Sequence, residues 1–228
     1  MSMERISRAL ELASRQRETT TRAAGAAGPR PVRTEAQEHQ PAADRQEETA
    51  TFRTPLLMPD PRKLEREHIL PPSAGGERGS AYKLLRTQVL RRLDQLQANT
   101  LAVLSPTADA GKTLTAINLA IAIAAELGRT ALLVDLDLRN PSVHRRLGIE
   151  PVLGVEDCLQ SGKSVQEAIV RIAGYERLAV LPARAPVEHS SELLTSERAT
   201  ALVTELRARY ANRVIVFDLP PVLQADDA

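Results

Sequence analysis

The chain has 228 residues, 30 Lys plus Arg against 29 Asp plus Glu, and a formal net charge of +1. That length suits one ordinary domain with something added, and the charge balance gives no bulk electrostatic case for nucleic acid. Two Phe, three Tyr and no Trp exclude a stacking platform for single strands. Cys158 stands alone, so no internal disulfide exists, which fits a reducing compartment; a small buried hydrophobe is its ordinary role. Histidines 39, 68, 144 and 189 show no metal-ligand spacing.

In chain order, Ile6, Leu10 and Ala13 recur at helical spacing after Ser2, so residues 1–17 are expected to form a short amphipathic helix. Residues 18–79 are expected to be a disordered linker followed by a Pro-rich arm. Charges alternate there and large apolar residues are few, until Phe52, Leu56, Leu57, Met58, Leu64, Ile69 and Leu70 offer an extended contact with a folded domain. Pro71-Pro72 and Gly75-Gly76 punctuate its end.

A domain is expected over 80–228. Ser80 to Gln97 reads as a helix with Leu84, Leu85, Val89, Leu93 and Leu96 on its apolar face and Lys83, Arg86, Arg91 and Arg92 largely elsewhere. Leu101–Leu104 reads as a buried strand, and Leu114–Leu127 as a helix with Gly128 as its C-cap. Strands follow at Thr130–Val134, Leu178–Leu181 and Val214–Phe217. Helices are expected at Val165–Ala173 and within Glu192–Tyr210. Apolar strands alternating with amphipathic helices predict an α/β fold, a mostly parallel sheet covered on both faces. The longest apolar stretch, Ala116 to Ala125, is interrupted by Asn118 and is too short for a membrane span, and no secretory signal opens the chain. A cytoplasmic protein that meets membranes only through a partner is the expectation.

The stretch from Leu101 to Thr113 ends in Gly111-Lys112-Thr113 at the start of a helix. Strand, small-residue loop and Gly-Lys-Thr is the phosphate-binding loop arrangement of P-loop NTPases. Loop N–H groups can converge on phosphates where no bulky side chain intrudes, and Ala108, Ala110 and Gly111 meet that need. The usual pattern places a glycine five residues before Gly111; Pro106 stands there. Lys112 supplies charge for the outer phosphates, and the Thr113 hydroxyl suits Mg²⁺. The candidate nucleotide cradle is Thr107, Ala108, Asp109, Ala110, Gly111, Lys112, Thr113 and Leu114, with Arg139 facing phosphate or the acidic cluster. Three aspartates follow strands: Asp135 and Asp137 after the second, Asp218 after the last. In a parallel sheet these ends form the ligand crevice. Thr113, Asp137 and Asp218 suit a metal held by hard oxygens, and Asp135 suits a proton acceptor or the holder of a metal-bound water.

These motifs in this order resemble those of the bacterial tyrosine kinases of polysaccharide assembly (BY-kinases), P-loop proteins related to the MinD/ParA ATPases. The resemblance runs from Ser80 onward through Leu133–Pro141, Gly154–Leu159, Ser191–Ser196 and Val214–Leu223. The N-terminal helix, linker and arm resemble the subgroup tied to exosortase-linked exopolysaccharide loci. The resemblance implies ATP and Mg²⁺ as cofactors, Lys112 and Asp135 as catalytic residues with Asp135 the general base, and Asp137 and Asp218 around the metal. It further implies a transmembrane polysaccharide co-polymerase, or chain-length determinant, as partner at the inner membrane, and a homo-oligomer. Departures from the family pattern are visible. Thr107 stands where MinD/ParA relatives carry an extra lysine, which favours the kinase branch over a positioning ATPase. Ser80-x-x-Lys83-x-x-Arg86 replaces the subunit-joining Glu-x-x-Arg-x-x-Arg. Tyr82, Tyr175 and Tyr210 form no cluster, and the chain runs ten residues past Asp218 where the family continues, so a truncated or degenerate member is expected. A nucleotide-gated adaptor without kinase activity is the competing expectation.

Overall fold

The computed structural model describes residues 54–210 and 212–223. The expected helix over 1–17 and the first part of the linker lie outside them. Six strands form one sheet among the described residues: β1 Leu56–Leu57, β2 Thr100–Val103, β3 Thr130–Asp135, β4 Val170–Ile172, β5 Leu178–Leu181 and β6 Arg213–Asp218, in spatial order β1-β4-β5-β3-β6-β2. All neighbours pair in parallel except β4 with β5. The fold is therefore mixed α/β with a mostly parallel sheet.

Side chains alternate across the central strand. Ala131 and Leu133 join the core on one face and Leu132 and Val134 the core on the other, as the two-residue strand period demands. The first face is covered by helices α1 Pro61–Arg66, α2 Gly76–Leu96, α3 Lys112–Ala124 and α4 Val143–Leu147. The second is covered by α5 Val155–Ser161, α6 Val165–Ala168, α7 Ser190–Leu194 and α8 Glu197–Arg209. Helix α3 is apolar nearly all round because the sheet and α2 enclose it. Ala116, Ile117, Ala120 and Ile123 are fully buried.

Residues 54–79, read from the sequence as part of the linker and arm, carry regular structure. Leu56 and Leu57 pair with Arg171 and Ile172 of β4. Asp60 caps α1 through the Arg62 N–H, with Pro61 in the first turn, both good helix-start chemistry. Asn118 explains how the arm is held. Its Oδ1 accepts from the Leu70 N–H at 2.8 Å and its Nδ2 donates to the His68 carbonyl at 3.1 Å.

Several element readings are corrected. The helix expected over Val165–Ala173 stops at Ala168, because Val170–Ile172 pair with β1 and β5 as β4, and tertiary pairing overrides a short helical pattern. The expected strand Leu101–Leu104 is an edge strand of intermediate burial that ends at Val103, with Leu104 exposed. On α2 the buried stripe runs through Leu85, Val89, Leu90 and Leu93, while Leu84 and Leu96 face outward. Arg86 leaves the polar face. It pairs with Glu126 at 2.7 Å and donates to the Ala122 carbonyl at 3.4 Å, tying α2 to α3. Gly128 does not cap α3. Ala125 does, and Gly128 takes a positive φ in the turn into β3.

Candidate active site

The crevice forms where β2, β3 and β6 end side by side. Val103 is in register with Asp218, and Asp218 with Asp135. Parallel pairing thus brings two acidic strand ends against the loop that leaves β2. That loop is braced from within: the Ser105 hydroxyl donates to the Thr107 carbonyl at 2.7 Å. It is braced from beyond β6 by the Val222 and Leu223 N–H groups, which donate to the Ser105 and Pro106 carbonyls. Gly111 has φ +85°, a left-handed conformation that glycine adopts without penalty, and α3 begins at the next residue. The unpaired N–H groups of the first turn of α3 therefore open into the crevice.

Lys112 is largely buried and central. Its ammonium lies 2.6 Å from Asp137 Oδ2, 3.6 Å from Asp218 Oδ1 and 3.2 Å from Thr113 Oγ1. Thr113 Oγ1 donates to Asp218 Oδ2 at 2.7 Å, and the Ser142 hydroxyl lies 3.3 Å from Thr113 Oγ1. Asp135 is fully buried. Its Oδ1 accepts from the Asp137 N–H at 3.2 Å, and its Oδ2 from the Ser142 and Val143 N–H groups, both at 3.1 Å. Burial, then the neighbouring Asp218 charge, push the Asp135 carboxyl up to about 8. Burial also raises Asp218, against the pull of the Thr113 hydrogen bond and the Lys112 charge. Asp218 Oδ1 is buried without a hydrogen-bond partner.

A cavity of about 630 Å³ opens over this floor. Of the residues expected from the sequence, Ala108, Asp109, Gly111, Lys112, Thr113, Asp137 and Arg139 line it; Thr107, Ala110, Leu114, Asp135 and Asp218 do not. Asp218 acts from beneath through Lys112 and Thr113, and Asp135 anchors the start of α4 rather than facing the cavity. Sequence reasoning did not assign Asn140, Ser142, Arg145, Arg146, Ser190, Leu194, Pro220 or Pro221 to the lining. A turn signal at Asn140-Pro141-Ser142 and the Arg145-Arg146 pair were the available clues. Among the described residues no three His, Cys, Asp or Glu side chains form a ready metal cage, and no helix is long and apolar enough to cross a membrane.

A phosphate-binding loop at the carboxyl end of a mostly parallel sheet, with acidic residues closing two neighbouring strands, defines a P-loop NTPase-like domain. No protein-family model matches the chain. Sequence comparison is more specific. The chain is 30% identical over 176 residues to tyrosine-protein kinase YwqD of Bacillus subtilis, covering 77% of this chain and 67% of that protein. It is 31% identical over 148 residues to tyrosine-protein kinase wzc of Salmonella typhi, covering 65% of this chain and 20% of that protein. Among solved structures, the kinase domain of Escherichia coli tyrosine kinase ETK superposes with a TM-score of 0.58 at 25% identity, over 66% of this chain and 57% of that one. The chain belongs to the bacterial tyrosine-protein kinase family. It spans two thirds of its Bacillus relative and a fifth of the Salmonella protein.

Proposed function

We propose that this domain binds Mg-ATP and transfers the γ-phosphoryl group to a tyrosine hydroxyl, as a protein-tyrosine kinase of the bacterial type serving exopolysaccharide or capsule assembly. The observation that carries this reading is the Lys112 ammonium seated between Asp137 and Asp218 beside Thr113. Two buried carboxylates, Asp137 and Asp218, share one ammonium, with Asp135 buried behind them. Such a site has room for further positive charge, since Asp218 Oδ1 is buried with no hydrogen bond and only the ammonium at 3.6 Å. A divalent cation fits it. Thr113 and Asp218 would hold Mg²⁺, with Asp137 at its edge, the remaining positions going to phosphate oxygens and water as this ion prefers. Bound there, it would neutralise charge on the outer phosphates.

The chain's own residues do the rest. Lys112 exchanges Asp137 for the outer phosphates, and the first-turn N–H groups of α3 hold the others. The phenolic oxygen forms a bond to the γ-phosphorus while the bond to the β–γ bridging oxygen breaks, and ADP leaves with that electron pair. Asp137, released by Lys112 and lining the cavity, is placed to take the phenolic proton. Asp135, which the sequence suggested as the base, lies behind it and fixes the start of α4. The protein would work in the cytoplasm beside the inner membrane, held by a transmembrane polysaccharide co-polymerase, as a homo-oligomer. Subgroup placement among exosortase-linked loci rests only on the sequence resemblance.

Calorimetry with Mg-ATP and transfer of labelled phosphate test the proposal together. Lys112→Ala is expected to lower turnover by roughly 10²–10³, the loss of about 3–4 kcal/mol from one preorganised charge. Unchanged turnover removes Lys112 from the mechanism. One observation favours the second reading, an ATP-gated adaptor. None of the chain's three tyrosines lines the cavity, and Tyr175 is buried. Mg-ATP binding without transfer to any added tyrosine peptide would establish the adaptor instead.

A further inference from the structure

Ser142 is the N-cap residue of α4, a place where a serine side chain ordinarily accepts an N–H from the first turn of the helix. Here it makes no such bond. Its hydroxyl turns instead to Thr113 Oγ1, 3.3 Å away, and the residue lines the cavity. The backbone fixes it in that place. The Ser142 and Val143 N–H groups both donate to Asp135 Oδ2 at 3.1 Å, and Asp135 and Val143 are fully buried. A polar chain therefore runs from Asp135 through Ser142 to Thr113 and on to Asp218.

Thr113 Oγ1 carries one proton and two lone pairs, and a hydroxyl proton rotates to suit its partners. The proton goes to Asp218 Oδ2 at 2.7 Å. Two donors meet the lone pairs, the Lys112 ammonium at 3.2 Å and the Ser142 hydroxyl at 3.3 Å. Resting on the Mg-ATP reading above, we infer that Ser142 is a positioning residue of the metal site. Its hydroxyl occupies one lone pair of Thr113 Oγ1 and so keeps the Thr113 proton on Asp218. The other lone pair, freed when Lys112 moves to the outer phosphates, is then left for Mg²⁺. Without the Ser142 hydroxyl, Thr113 has a second orientation open to it, and part of the preorganisation toward the metal is lost.

The test is the binding of a fluorescent, non-hydrolysable ATP analogue to the full chain, read by anisotropy in Mg²⁺ and again in EDTA. The ratio of the two affinities isolates the share that depends on the metal. Ser142→Ala is expected to cut that ratio about three- to tenfold, the scale of one hydroxyl hydrogen bond, with a far smaller change in EDTA. Ser142→Thr should restore most of the ratio. Ser142→Val, which has the shape of threonine without the hydroxyl, should not, so a repacked wall does not imitate the result. The Ser142 N–H bond to Asp135 survives all three substitutions because the backbone makes it. An unchanged ratio in Ser142→Ala and Ser142→Val overturns the inference. So does an equal loss in Mg²⁺ and in EDTA, which would assign the hydroxyl to the phosphates. A wild-type chain that binds the analogue in neither condition, or equally in both, sinks the Mg-ATP reading and this inference with it. A gain from Mg²⁺ in the wild type that the hydroxyl-free variants fully share sinks the inference alone.

Discussion

Lys112 and Asp137 are 2.6 Å apart, and Asp218 Oδ1 is 3.6 Å from the same ammonium. The lysine is thus shared between two buried acids, and the nearer of them, Asp137, also lines the cavity. Asp137→Asn leaves the ammonium with Asp218 as a second partner, so the cost in stability is expected to be about 1–3 kcal/mol rather than that of an orphaned buried charge. Urea unfolding of the nucleotide-free protein measures it. Phosphoryl transfer should fall much further than stability, and a variant that keeps full transfer removes Asp137 as proton acceptor.

Asp135 makes a pH dependence. Its folded value, raised to about 8 by burial and then by Asp218, exceeds its unfolded value of about 3.8. The folded state therefore favours the protonated acid. That contribution is complete below about pH 3.8 and is lost as pH rises through about 8. Thermal midpoints of the nucleotide-free protein should decline from about pH 4 to about pH 8 and level off above it, and Asp135→Asn, which carries no titrating charge, should flatten the decline. Added Mg²⁺ should oppose it in the wild type. An identical pH profile in the asparagine variant would mean that another group governs it.

The contrast between Lys112 and Asp135 shows what the sequence could carry. The motif at 111–113 and the acids at strand ends depend on local order and on the rule that ligands gather at the carboxyl ends of parallel strands, so their convergence was legible. Which carboxylate faces the cavity depends on the turn at 140–142, where backbone N–H groups draw Asp135 away. That is set in three dimensions. The central strands were legible as apolar runs because both faces are covered. By contrast β1 and β4, of two and three residues, pair with each other across more than a hundred residues of sequence. The Leu84 and Leu96 misreadings have a similar origin: helical spacing gives a stripe, but only the docked partner fixes its edges.

Asn118 is the polar interruption in the otherwise apolar α3, and its two hydrogen bonds to the arm account for it. Asn118→Leu keeps the branched outline but leaves the Leu70 N–H and the His68 carbonyl unpaired at a partly buried site. Each lost partner costs about 1–3 kcal/mol, so a total of about 2–6 kcal/mol is expected. The loss should concentrate in the arm. Trypsin should cut faster at Arg62, Lys63 and Arg66 than in the wild type, while the sheet keeps its hydrogen-exchange protection. Uniform loss of protection across β3 and β6 would show that Asn118 supports the whole core rather than the arm.

Gly154 is required for space rather than for backbone freedom. Its φ is −129°, open to any residue, yet a Cβ there would run into the Glu156 carboxylate. That carboxylate is buried and cannot yield cheaply, because it accepts the Arg184 N–H at 3.1 and 3.2 Å and sits 3.4 Å from the Arg184 guanidinium. Gly154→Ala is therefore expected to cost about 1–3 kcal/mol as an overpacked site, with further loss if Arg184 N–H is left unpaired. Removing the obstacle isolates the cause. In a Glu156→Ala background the added methyl no longer meets that carboxylate, and Gly154→Ala should then cost less. A double-mutant cycle by chemical denaturation reads the coupling between the two positions; additive effects would place the strain at Gly154 elsewhere than on Glu156.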